Sequence, residues 1–127
     1  MWGGFRVEKK TIFVVDDADT TLSILEKELE DFYSVVAVNS IKKMFETIAN
    51  IKPDLILLDY YMPEITFHEA MKRLKSDDRY REIPVIAISG SNYPDILDEV
   101  FAVGAVDFIN KSIPSEDLLA KVGKWIK

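Results

Sequence analysis

Apolar residues follow two alternating rhythms along the chain, and each rhythm predicts a type of element. Short β-rich runs occupy Thr11 to Val15, Ser34 to Val38, Leu55 to Asp59, Pro84 to Ser89 and Val106 to Ile109. Runs of this length and composition read as strands. Between them apolar residues return at the spacing of a helix face. The sets are Leu22, Leu25, Leu29 and Phe32; Ile41, Met44, Phe45 and Ile48; Phe67, Ala70, Met71 and Leu74; Ile96, Leu97, Val100 and Phe101; and Leu118, Leu119, Val122, Trp125 and Ile126. Thr20 or Thr21 is the expected cap of the first helix and Ser40 precedes the second. Gly104 ends the fourth, and Pro114 or Ser115 opens the fifth. Glu116 and Asp117 in the first turn of that last helix, with Lys124 and Lys127 in its last, suit the helix dipole. Asp77 to Glu82 is expected to be a solvated connector, and Gly90-Ser91-Asn92 a turn.

Strand and helix alternate five times with no linker or low-complexity tract. Such alternation predicts an α/β fold, a single doubly wound five-stranded parallel sheet with helices on both faces. The unbroken run Leu55 to Leu58 marks a central strand buried on both sides, and Pro63 keeps it from continuing. A chain of 127 residues suits one domain with a real core. Its formal charge of −6 disfavours non-specific nucleic-acid binding. The absence of cysteine excludes disulfides and thiolate metal sites and makes an intracellular, cytoplasmic protein the default. One histidine argues against zinc, and no apolar run approaches the ~20 residues of a membrane span. Residues 1–9 read as a loose lead-in without the pattern of a signal peptide.

Parallel strands bring all their carboxyl ends to one edge, where α/β sheets bind ligands. Asp16 and Asp17 fall there after the first strand, Asp59 after the third, Ser89 after the fourth and Lys111 after the fifth. Singly, each has a plain explanation as a helix cap, a turn former or a solvated side chain. Together they make a chemistry. Two carboxylates about 5 Å apart repel by roughly 3 kcal/mol at an effective dielectric near 20. Three are strained unless a cation joins them, and an all-oxygen site with room for water suits Mg²⁺, or Mn²⁺, over zinc. Phosphate is the natural anionic substrate of such a site. Lys111 adds a positive charge and Ser89 a hydroxyl donor, which matches phosphoryl transfer with Asp59 as the nucleophile.

The stretches Val14-Val15-Asp16-Asp17, Asp54 to Pro63, Pro84 to Gly90 and Gly104 to Lys111 together resemble the receiver domain of two-component response regulators. The likeness spans residues 10–127. It implies strand order 2-1-3-4-5 and phosphorylation of Asp59 by a phosphohistidine on a sensor kinase. It implies that Asp17, Asp59 and the backbone carbonyl of Tyr61 bind the Mg²⁺ directly, with Asp16 helping through water. Ser89 and Lys111 would hold the phosphoryl oxygens. Ser89 and Phe108 would form the switch that reshapes the surface of the fourth helix, fifth strand and fifth helix, and Tyr61 and Ser91 would tune dephosphorylation. The implied partners are a sensor histidine kinase or phosphotransfer protein, and a downstream target or an output domain absent from this chain. Neither nucleic acid nor membrane is an expected direct partner. A monomer, or a weak dimer through the switch surface, is expected. Such a domain is a signalling module rather than an enzyme in its own right.

Three positions depart from that pattern. Ser112 stands where the family usually has a cis proline, so the Lys111–Ser112 bond is either trans with a shifted loop or cis at a cost of ~3 kcal/mol. Thr66-Phe67 replaces a frequent Asp-Gly, which predicts core packing by Phe67, or else an altered turn or a ring over the site. Tyr61 is bulky, and its ring is expected to screen the phosphoryl group. His68 is expected at the surface, Trp125 half-buried, and Tyr93 beside the output surface. Three alternatives compete. A haloacid-dehalogenase-like phosphatase wants an acid at Tyr61. A flavodoxin-like cofactor binder would set its phosphate against Asp16-Asp17. A degenerate receiver that only binds proteins need not keep all five site groups.

Overall fold

Five strands, β1 (Thr11–Val15), β2 (Ser34–Val38), β3 (Leu55–Asp59), β4 (Val85–Ser89) and β5 (Asp107–Asn110), alternate with α1 (Asp19–Leu29), α2 (Ile41–Ile48), α3 (Phe67–Lys75), α4 (Pro94–Ala102) and α5 (Ser115–Trp125). The structure is a computed structural model that describes residues 8–90 and 94–126. The strands form one parallel sheet in the order β2-β1-β3-β4-β5. Ser91, Asn92, Tyr93 and Lys127 lie outside the described residues, so the turn expected at Gly90-Ser91-Asn92 is not followed to its end.

Two cores explain the residue pattern. Phe13, Val15, Ile56, Leu58, Val85 and Ala87 face α2, α3 and α4, where Met44, Met71, Leu74 and Val100 are buried. The alternate residues Ile12, Val14, Leu55, Leu57, Ile86 and Ile88 face α1 and α5, where Leu22, Leu25, Leu29, Leu118 and Val122 are buried. Residues of β3 and β4 are buried at every position because the sheet is covered on both sides. Each such aliphatic side chain stabilises the fold by about 1.5–3 kcal/mol, and together they fix the strand register.

Caps and helix ends account for most departures from expectation. Ser40 Oγ accepts from the Lys43 amide at 3.0 Å and starts α2 as predicted. Thr20 and Thr21 do not cap α1. The helix opens earlier, with Ala18 at its N-cap, and Asp16 Oδ1 accepts from the Ala18 amide at 2.9 Å just ahead of it. Phe32 lies beyond the end of α1 and is 58% exposed, and Phe101 on α4 is 47% exposed. A helical period carries on past the point where the helix leaves the core, so it overcounts buried positions. The 77–82 connector is not wholly solvated, because Tyr80 is buried beside Ile83. Gly104 ends α4 as expected, with φ of 106°, a region that a Cβ disfavours.

Candidate functional site

The sheet's register sets the site. Asp59 is the last residue of β3 and pairs with Ile88, while Ser89 ends β4 opposite Asn110. Ladder bonds run one residue past the strands. The Tyr60 amide donates to the Ile88 carbonyl at 2.9 Å, and the Lys111 amide donates to the Ser89 carbonyl at 2.8 Å. The backbone on either side of the site is therefore held by the sheet rather than by free loops.

Asp16, Asp59 and Ser89 are buried polar residues at this edge, while Asp17 is exposed. One carboxylate oxygen from each of Asp16, Asp17 and Asp59 lies within 4.8 Å of the other two. Lys111 Nζ lies 2.7 Å from Asp16 Oδ2 and 3.4 Å from Asp59 Oδ2. The Tyr61 amide donates to Asp59 Oδ1 at 3.4 Å. Burial, followed by the neighbouring Asp16 charge, pushes the Asp59 carboxyl up to about 6, although Lys111 and the Tyr61 amide pull it down. Burial disfavours the charge on Lys111, but Asp16 and Asp59 outweigh it and raise its pKa, so it is a firm cation. One ammonium, paired with two of the three acids, leaves the cluster with an excess of negative charge. Asp16 Oδ2, moreover, accepts no aligned hydrogen bond despite its contact with Lys111. The donor set is entirely oxygen and partly open to water, so the residues fit a hard divalent cation.

All five groups read from the sequence thus stand at one edge. The Lys111–Ser112 peptide is trans. Its turn is closed by Asn110, whose Oδ1 accepts from the Ser112 amide at 2.9 Å and from Ser112 Oγ at 2.6 Å. This side-chain-closed turn does the work expected of a proline and still brings Lys111 to both acids. An Asn two residues before a Ser is a turn signal in the sequence. Phe67 is buried in the core, and Thr66 Oγ1 caps α3 by accepting from the Glu69 amide at 3.0 Å. Among the described residues, Glu64 is the non-glycine residue with positive φ, at 70°.

Tyr61 is 57% exposed, with its ring edge-on to Tyr60 at 4.8 Å. Tyr60 donates its hydroxyl to Glu99 on α4, a contact that no local sequence pattern announces. His68 is at the surface as expected, 3.8 Å from the same Glu99 carboxylate. Phe108 is 8% exposed and packs in the core beneath α4. Trp125 is half-buried and donates Nε1 to Asp107 Oδ2 at 2.9 Å. Ser91 lies outside the described residues.

A sequence profile described as the response regulator receiver domain matches residues 12–123. A probable cyclic di-GMP phosphodiesterase of Vibrio cholerae is 32% identical over 112 residues, which make up 88% of this chain and 25% of that protein. The two-component response regulator ORR5 of Oryza sativa is 31% identical over 110 residues, covering 84% of this chain and 81% of the plant protein. The chain therefore spans a quarter of the first relative and four-fifths of the second. Among solved structures, the receiver domain of sensor histidine kinase PA1611 from Pseudomonas aeruginosa superposes with a TM-score of 0.83, covering 94% of this chain and 98% of that one. That crystal structure has a magnesium ion coordinated in its active-site cleft; at 19% identity the likeness is one of fold.

Proposed function

The chain belongs to the response regulator receiver domain family, and from that premise we propose that Asp59 is its phosphoacceptor. The donor is a phosphohistidine on a sensor kinase or phosphotransfer protein. An Asp59 carboxylate oxygen attacks phosphorus and forms a P–O bond. The P–N bond breaks, and its electron pair returns to the imidazole of the donor. The product is an acyl phosphate on Asp59.

The observation that carries this reading is the convergence of three acid oxygens within 4.8 Å, with Lys111 Nζ reaching two of the acids. Asp17, Asp59 and the Tyr61 carbonyl are the residues that would hold Mg²⁺ or Mn²⁺, with Asp16 acting through water. Such an ion supplies charge neutralisation on the transferring phosphoryl oxygens. Lys111 leaves Asp16 and Asp59 to pair with a phosphoryl oxygen, and the Ser89 hydroxyl donates to another. Tyr61, half out of the fold at the mouth of the site, limits the approach of water to the product, and Ser91 is assigned the same tuning role by resemblance.

Phosphorylation adds up to two negative charges and three strong acceptors at the end of β3. Ser89 ends β4 and Lys111 directly follows β5, so each stands where the chain leaves the sheet toward α4 or α5. Their movement toward the phosphoryl group shifts the packing of Phe108 and reshapes the α4-β5-α5 surface. That surface is where a downstream partner or an output domain reads the state. Among the described residues no helix is long and apolar enough to cross a membrane. The direct test is incubation with Mg²⁺ and acetyl phosphate followed by intact-mass measurement. A single phosphoryl adduct is expected in the wild type and none in Asp59→Asn. An adduct of equal yield in both overturns the assignment.

A further inference from the structure

Between the acid cluster and α4 runs a polar link that the phosphoryl chemistry above leaves unused. Tyr60 stands between Asp59 and the residue whose carbonyl completes the proposed cation site. Its amide extends the β3–β4 ladder one rung beyond Asp59, donating to the Ile88 carbonyl at 2.9 Å. Its phenol points the other way and donates to Glu99 Oε2 on α4. The ring packs tilted on Phe67 at 5.5 Å and edge-on to Tyr61 at 4.8 Å. Tyr60 is thus pinned at its amide by the sheet, at its ring by Phe67 and at its hydroxyl by α4.

A residue pinned at three points leaves the next peptide little freedom, because only two soft torsions separate them. The next peptide is the one that matters. The Tyr61 amide is the donor to Asp59 Oδ1, and the Tyr61 carbonyl is the assigned cation ligand. Resting on that reading of the site, the geometry points to Tyr60 and Glu99 as a positioning pair, whose hydrogen bond holds the Asp59–Tyr61 loop in the shape that binds the divalent cation. Neither residue touches the reacting atoms. Both act through the Tyr61 backbone, and the cation site is thereby joined to α4 by one side-chain contact.

Glu99 is half-exposed, so truncating it leaves the core intact. The test is Mg²⁺ titration of the metal-free 127-residue chain, followed by NMR amide shifts, with amide hydrogen exchange at Tyr61 measured beside it. Loss of a group that orients a metal ligand weakens affinity by roughly tenfold or more. Tyr60→Phe and Glu99→Ala are each expected to weaken Mg²⁺ binding by roughly tenfold and to speed exchange at Tyr61. The double variant loses no more than either single one. Glu99→Gln keeps wild-type affinity, because its amide oxygen accepts the same bond. Unchanged affinity in Glu99→Ala overturns the pairing, as does equal loss in Glu99→Ala and Glu99→Gln, which would trace the effect to charge. A wild type that binds no Mg²⁺ instead defeats the cation site itself, and the positioning role with it.

Discussion

At the scale of single residues, the site is built at the expense of stability. Asp59 is buried beside Asp16, and burial first, then that neighbouring charge, lifts its carboxyl to about 6 from an ordinary value near 3.8. A carboxyl whose folded pKa is raised is disfavoured in its charged form by the fold. The penalty is absent below pH 4, grows between pH 4 and pH 6, and is full above pH 6. Metal-free Asp59→Asn should therefore be more stable than wild type at pH 7, by on the order of 2 kcal/mol, with the difference vanishing near pH 4. Denaturant unfolding at the two pH values checks this, and equal stabilities at pH 7 would contradict it. Asp59, Asp16 and Lys111 were legible because each stands at the end of a strand that its neighbours mark out. Glu99 was not, because its partner is Tyr60, on a different element and 39 positions away. Nothing in the residues around Glu99 distinguishes it from any solvated acid on a helix.

At the scale of elements, periodicity located every strand and helix, and the misses lie at their ends. β2 and β3 have the predicted limits because turn formers bound a run whose side chains alternate between two cores. The start of α1 was misplaced because two threonines look like caps, whereas the acid ahead of the helix already occupies the Ala18 amide. The turn after β5 needed no proline because Asn110 closes it. The docking of α5 on β5 rests on a network that periodicity cannot show. Asp107 Oδ2 accepts from Trp125 Nε1 at 2.9 Å, and Lys121 Nζ lies 3.2 Å from Oδ1. Burial pushes the Asp107 carboxyl up, but Trp125, the Phe108 amide and Lys121 outweigh it and hold it below the usual range. Its contribution is present above the ordinary carboxylate pKa and is lost as pH falls toward the folded value. Asp107→Asn is expected to cost about 1–2 kcal/mol at pH 7 and progressively less below pH 4. Urea unfolding followed by Trp fluorescence measures both, and a pH-independent difference would count against the network.

At the scale of the molecule, the fold is a two-cored frame that carries an electrostatic imbalance on one edge. The parallel sheet was legible from the alternation of elements, and its strand order from the family resemblance. The balance of charge at the edge is a three-dimensional property that only the register reveals. If a divalent cation relieves that imbalance, Mg²⁺ should stabilise the whole chain by mass action, by about 2.7 kcal/mol at a hundred times its dissociation constant. The melting temperature should rise with Mg²⁺ in wild type and not in Asp17→Asn, and equal shifts in the two would place the ion elsewhere. The central claim is that one of three crowded acids is phosphorylated. Borohydride reduces an acyl phosphate to an alcohol, so treatment of the phosphorylated chain followed by peptide mapping reports which aspartate carried the group. Conversion at Asp59 alone, dependent on Mg²⁺ and on the phosphodonor, is the predicted result; conversion at Asp16, at Asp17 or at no aspartate would contradict it.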